Sequence, residues 1–208
     1  LSEYAKKGPV TNFVRTCIEI LSSLPSVVVG LFGFLIFVVQ FEYGFSIISG
    51  ALALTVFNLP QMTRNVEDSL RNVHHTQREA GLALGISRWE TVLHVVIPEA
   101  LPSIVTGIVL ASGRIFGEAA ALIFTAGQSA PALDWSNWNI FSVTSPISIF
   151  RQAETLAVHI WKVNSEGTIP DGTAVSAGSA AVLLIFILIF NLGARKLGSY
   201  LHKKLTSA

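Results

Sequence analysis

The sequence predicts an all-α protein, a polytopic bundle of membrane-crossing helices. Three observations lead there. Hydrophobic residues make up 51% of the chain and charged residues only 13%, against about 25% charged in an ordinary soluble domain. The apolar residues gather in runs near the length of a membrane span. The basic residues fall almost wholly in alternate segments between those runs.

The elements follow in order. Leu1 to Ser23 is polar and basic, with Lys6, Lys7 and Arg15, and Thr11 to Leu24 has a helical pattern suited to the membrane interface. Ser26 to Phe41 is the first span, and Gly30 and Gly33 inside it leave room for a neighbouring helix to approach. Glu42-Tyr43-Gly44 is a turn. Phe45 to Leu59 is the second apolar run, about 15 residues where a span takes about 20. Proline is tolerated in membrane helices, so this run continues through Pro60 towards Arg64. Arg64 to Arg78 is polar, and Glu67 and Arg71 are spaced to pair on one helix face. His74 and His75 have no acidic or cysteine partner at ligand spacing, so no metal is expected.

Leu101 to Ala126 is the third span and Ala174 to Ala194 the last. Between them, about 127–173, lies a long external segment. Trp135, Trp138 and Trp161 suit a membrane–water boundary. Ile149, Phe150, Ala153, Leu156, Ala157, Ile160 and Trp161 recur at helical spacing and predict a short helix there. The tail carries Arg195, Lys196, Lys203 and Lys204. The single cysteine, Cys17, excludes an internal disulfide framework and is read as a packing residue. Because the chain opens on Leu1 and not on Met, it is expected to be a piece of a longer protein.

Four spans put both ends on one side. That side then holds eleven of the fourteen Lys and Arg residues, and the other holds only Arg151 and Lys162. The basic side is the cytoplasmic one. The net charge of +1 is no signature of nucleic-acid binding, and no such partner is expected.

The stretch Arg78 to Pro98 is the informative one. Glu79, Ala80 and Gly81 begin a short helix, and Gly85 is permissive enough to end it in a left-handed conformation. Ile86 to Val96 is a second helix, with Ile86, Trp89, Leu93 and Val96 on one face. Pro98 marks the start of a new element. The spacing of Glu79-Ala80-Gly81, Gly85, Val95 and Ile97-Pro98 resembles the EAA motif of ABC-importer permeases, in which this segment, about 78–98, is the coupling helix that docks on a separate ATPase.

Arg114 and Glu118 are the second feature. Arg114 is roughly 20 Å into the third span at 1.5 Å per residue, near mid-membrane, where a charge is disfavoured by about 2.5–3.5 kcal/mol. Glu118 is four residues on, so it lies on the same helix face and can pair with Arg114. Gly113 and Gly117 leave space beside them. Two readings follow: a permanent ion pair locking two helices, or a charged anion path in which Glu118 holds the Arg114 guanidinium until an oxyanion displaces it.

More of the chain resembles one subfamily. Leu24-Pro25-Ser26 through Gly30-Leu31-Phe32-Gly33, Gly113-Arg114-Ile115-Phe116-Gly117-Glu118 and Phe124-Thr125-Ala126-Gly127 are similar to the PstA-type permease of the bacterial phosphate importer. The resemblance implies a MetI-like helical fold over 1–208 as a single permease domain, with one or two further spans before Leu1. It implies a bacterial cytoplasmic membrane and a complex with ABC ATPase subunits, a second homologous permease subunit and an extracytoplasmic phosphate-binding protein. It also implies that Arg114 and Glu118 match charged positions for phosphate passage. Position 81 is Gly where the strict motif has Ala, a small-for-small change given no weight. No phosphate-binding Gly-x-x-x-x-Gly-Lys-Ser/Thr loop is present, so ATP hydrolysis is assigned to the partner, and no cofactor is expected. The alternatives are a permease for another oxyanion (molybdate or sulfate) and an ATP-independent channel or carrier, which would have no use for an EAA segment.

Overall fold

The structure, a computed structural model, describes residues 8–167 and 170–206, and the side chains of all of these except 197 and 201–206. Lys6 and Lys7, and the side chains of Lys203 and Lys204, lie outside the described residues, as do Thr168 and Ile169 of the external segment. Every regular element described is a helix. In order they are α1 (Pro9–Ser23), α2 (Ser26–Gly33, extended by a wider π-helical stretch Phe34–Gln40), α3 (Ile47–Arg71), α4 (His75–Ala83), α5 (Arg88–Thr91, with a π-helical stretch Val92–Val96), α6 (Ile97–Phe116), α7 (Ala120–Thr125), α8 (Leu156–Glu166) and α9 (Gly172–Thr206).

Local chemistry sets the boundaries. Pro9 opens α1, where its missing N–H costs nothing. Pro25 adopts φ −61°, ψ 140° and separates α1 from α2. Glu42 and Gly44, both at positive φ, make the expected turn. α3 runs through Pro60 to Arg71, further than the expected stop near Arg64, so the polar approach to the Arg78–Pro98 stretch is helical. The hydroxyls inside the helices return to their own backbone: Thr55 donates to Ala51 O, Ser69 to Asn65 O, Thr106 to Pro102 O and Ser112 to Ile108 O, at 2.7, 2.7, 2.8 and 2.9 Å. This bond gives a hydroxyl a partner within its own helix.

The span count differs from the four expected. Among the described residues, Arg88–Phe116 and Gly172–Tyr200, 29 residues each, are long and apolar enough to cross a membrane. Pro9–Ser23 and Ser26–Gln40 qualify only together, as a broken span or a re-entrant loop. α3 has the length, 25 residues, but Arg64, Glu67, Asp68 and Arg71 occupy its second half, and it is not among them. The span expected to begin at Leu101 starts earlier, because the helix is continuous from Arg88 through Pro98 and Pro102. The π-helical stretch Val92–Val96 lies immediately before Pro98. Wider turns there relieve the ring's clash with the preceding turn, so no new element is needed at the proline.

The chain forms two compact units. One gathers the described parts of Leu1–Ser22, Leu59–Gly113 and Ile189–Ala208. Its core joins Val73, Val96 and Ala100 with Leu70 and Ile104. Glu67 binds Arg71 at 2.9 Å, as its spacing predicts, and also Arg15 of α1 at 2.8 Å.

The other unit is Ser23–Asn58 with Arg114–Leu188. Small residues make it. A Cβ at Gly30 would stand 2.9 Å from the Ala121 Cα, and one at Gly33 would stand 2.9 Å from the Ala53 Cβ. α2 therefore lies directly on α7, as the two glycines predict. The N-terminus of α3 meets the end of α7 and the segment between α7 and α8. Ser46 N donates to Thr125 O, Ile47 N to Arg151 O and Ile48 N to Ile149 O, at 3.1, 2.9 and 2.9 Å. These bonds take up groups a helix start leaves open. They also explain why no helix begins at Ile149: the backbone at 149–151 is committed to α3. α8 starts at Leu156 instead, capped by Thr155, whose hydroxyl accepts from Val158 N at 3.3 Å.

Gly30→Ala should lower the thermal unfolding midpoint of the detergent-solubilised protein, by a destabilisation of about 1–3 kcal/mol for overpacking against backbone. Gly193→Ala, where a Cβ meets nothing within 4 Å, is the control and should leave the midpoint in place.

Candidate functional site

The segment Arg78 to Pro98 folds as a helix, a left-handed turn and a second helix. α4 ends where Leu84 N and Gly85 N donate to Ala80 O and Leu82 O, at 3.1 and 3.0 Å. Gly85 then takes φ +80°, the left-handed conformation expected of it. The second helix starts at Arg88, two residues later than Ile86. Ser87 caps it: Glu90 N donates to the Ser87 hydroxyl at 3.2 Å, and Ser87 N donates to the Glu90 carboxylate at 2.9 Å. The pattern Ser87-x-x-Glu90 is the sequence signature of this reciprocal box, and apolar periodicity alone places the helix start too early because it ignores the cap.

Gly81 decides how α4 lies on α5. It is buried, and a Cβ there would stand 2.8 Å from Thr91 Cγ2 and 3.1 Å from Thr91 Oγ1. Thr91 is itself buried, with its hydroxyl donating to Ser87 O at 3.0 Å. Gly for Ala at position 81 is thus not an indifferent change: the close packing on Thr91 requires it. Arg78 fixes the other end, donating from Nη1 to Val73 O at 3.1 Å and from Nη2 to Leu70 O at 2.6 Å. Leu70 is in the last turn of α3 and Val73 lies just beyond its end, so α4 is tied to the helix before it as well as to the one after.

This scaffold presents a mixed surface. Glu79, Ala80 and Gly85 are exposed. Leu82, Leu84 and Trp89 are exposed by 44%, 82% and 59%. Glu79, Leu82, Arg88 and Val92 line a shallow pocket of about 210 Å³. Solvated leucines and a tryptophan surround a glutamate and an arginine here, and exposed apolar side chains grouped in this way are a feature of interaction surfaces.

Arg114 and Glu118 are placed differently from the expectation. α6 ends at Phe116 and α7 begins at Ala120, so the third span is not one helix to Ala126. Gly117 N and Glu118 N donate to Arg114 O and Ile115 O, both at 3.1 Å, closing α6 with tightened turns. The i,i+4 argument needs an unbroken helix and does not apply. Glu118 instead accepts from Ala121 N at 3.2 Å, holding the start of α7. Arg114, exposed in this chain, has its guanidinium carbon 4.7 Å from the ring centroid of the buried Phe57. Such a contact is worth about 0.5–1 kcal/mol at an exposed site, and no pattern in the sequence announces it. Gly113 faces the Asn191 side chain, and a Cβ there would stand 3.3 Å from Asn191 Oδ1, so the space beside it is filled by α9. Among the described residues no group of His, Cys, Asp and Glu could hold a metal ion.

Gly81→Ala should destabilise the purified chain by about 1–3 kcal/mol, read as a lowered thermal midpoint. Adding Thr91→Ser, which deletes Cγ2 and keeps the hydroxyl, should recover part of the loss. No recovery would show that Thr91 is not what the glycine accommodates.

Comparison with known proteins agrees with this architecture. The family described as "binding-protein-dependent transport system inner membrane component" matches residues 1–207. A probable ABC transporter permease protein, YqgI, of Bacillus subtilis is 60% identical over all of this chain and 70% of its own length. A phosphate transport system permease protein, PstA, of Xylella fastidiosa is 36% identical over 95% of this chain and 64% of its own. The chain thus spans about two thirds of these relatives. Among solved structures, the MetNI methionine ABC transporter in its inward-facing conformations superposes with a TM-score of 0.69 over 92% of this chain and 76% of that one, at 17% identity. At that identity the likeness concerns the fold, which is MetI-like.

Proposed function

The chain belongs to the family of binding-protein-dependent transport system inner membrane components, and we propose that it is the permease subunit of an ATP-driven importer of inorganic phosphate. The observation behind the substrate is the likeness to phosphate permeases of the PstA type over 95% of the chain. In this reading residues 1–208 act as one non-catalytic permease domain. Its partners are ABC ATPase subunits, a second homologous permease and an extracytoplasmic phosphate-binding protein.

The α4–Gly85–α5 segment docks on the ATPase through Glu79, Ala80 and Gly85 and the exposed leucines beside them, while the buried Gly81 sets how α4 lies on α5. α5 runs without a break into the helix that ends at Phe116. Closure of the ATPases on ATP therefore pulls directly on the helix bearing Arg114. There the guanidinium fork meets the phosphate, since it donates paired hydrogen bonds to an oxyanion. Glu118, at the start of α7, is the fixed negative charge beside the path. If Arg88–Phe116 and Gly172–Tyr200 both cross, the α4 segment and the tail share one side and the segment between the spans faces the other. Arg64, Arg71, Arg78, Arg195 and Lys196 make the first side the cytoplasm.

The 60%-identical relative carries no substrate in its name, which keeps a permease for molybdate or sulfate as the second reading. Phosphate uptake by the complete importer, in cells lacking their own, separates the two. Uptake should persist under excess sulfate or molybdate and should fall at least tenfold in Arg114→Ala, about the effect of losing one charge-assisted hydrogen bond. Uptake blocked by either competitor would reassign the substrate. Normal uptake in an assembled Arg114→Ala complex would remove Arg114 from the path.

A further inference from the structure

A second polar site lies away from both features above. After α7 the chain turns at Gly127, which takes φ +98°. Gly127, Gln128, Ser129, Gln152, Lys162 and Glu166, with Phe45, line a pocket of about 400 Å³. Three parts of one unit meet there: the end of α7, the start of α3 and the outer helix α8.

Its chemistry is that of an anion site. Lys162 Nζ donates to Gln128 O at 2.8 Å. An ammonium carries three N–H donors, and that bond takes one. Ser129 donates to Gln152 Oε1 at 2.6 Å, which commits the amide oxygen and leaves the amide nitrogen as a donor. A Cβ at Gly127 would stand 3.3 Å from the same oxygen, so the glycine makes room for this arrangement. Arg151 Nη1 donates to Gln152 O at 3.2 Å. Between Arg114 and Arg195 the sequence has two cations, Arg151 and Lys162, and both bear on Gln152 or its pocket.

We propose that this pocket is a transient binding site for the imported oxyanion on the outer side of the membrane, with the Lys162 ammonium as its charged ligand. The proposal rests on the orientation and anionic substrate proposed above. Glu166, one turn beyond Lys162 on α8, sets the strength. A lysine alone would hold an anion, while a carboxylate in the same pocket lowers the affinity. A passage site must admit its ion and release it. The site would receive phosphate on its way to the path.

Lysine also ties α8 to the chain after α7, and the test separates that tie from the charge. Phosphate uptake is measured below saturation in the complete importer, with assembly checked by co-purification. Lys162→Gln keeps a donor for Gln128 O and removes the charge. It should lower uptake on the order of tenfold. Lys162→Arg should restore most of it, and Glu166→Gln should lower the half-saturating phosphate concentration. Wild-type uptake in Lys162→Gln overturns the proposal, and so does an equal loss in Lys162→Gln and Lys162→Arg, which would leave only the tie. A wild-type importer that carries sulfate or molybdate in place of phosphate overturns the substrate and not the site, which the same variants then test with that anion.

Discussion

The packing of Gly81 on Thr91 is the contact on which the α4–Gly85–α5 segment depends. Only a residue without a side chain lets α4 lie this close to α5. Once it does, the Ser87–Glu90 box fixes where α5 starts, and the left-handed Gly85 fixes the turn between them. Arg78 binds the same α4 back onto the carbonyls of α3. The segment is therefore held at both ends by bonds to neighbouring helices, and its exposed leucines and tryptophan are displayed on a rigid frame. The proposed coupling to an ATPase needs that rigidity, because a loop would absorb the displacement.

The bilayer imposes a further demand. Hydroxyls inside the helices bond to their own backbone, and close contacts are made by Gly and Ala in preference to large apolar residues. The start of α3 has its open N–H groups met by Thr125, Ile149 and Arg151 carbonyls. Those same bonds fix the backbone at 149–151, next to Gln152, whose side chain lines the pocket with Lys162.

Much of this is legible in the sequence. The runs of apolar residues, the turn at Glu42 to Gly44, the close approach at Gly30 and the Glu67–Arg71 pair are local properties, read correctly from spacing. The left-handed Gly85 likewise follows from residue type. The errors come from context. Pro98 reads as a boundary, but a π-helical stretch beside it keeps the helix whole. Ile149 reads as a helix residue, but its carbonyl is taken by α3. Arg114 and Glu118 read as an i,i+4 pair, but Gly117 ends the helix between them and Glu118 turns to α7. Phe57 beneath Arg114 and Arg15 beside Glu67 are far away in the chain, and no periodicity links them. Gly in place of Ala at position 81 looks neutral because its partner, Thr91, is on another helix.

If the α4–Gly85–α5 segment is the surface on which the partner ATPase sits, site-directed cross-linking will capture the pair. A cysteine at Leu84, the most exposed large apolar residue of the segment, is introduced in a Cys17→Ser background and the importer is treated with a short reagent that joins a thiol to a lysine amine. The expected product is a covalent adduct between this chain and an ATPase subunit. No adduct from position 84, with an efficient one from a cysteine at Trp135 in the segment between α7 and α8, would contradict both the proposed docking surface and the proposed orientation.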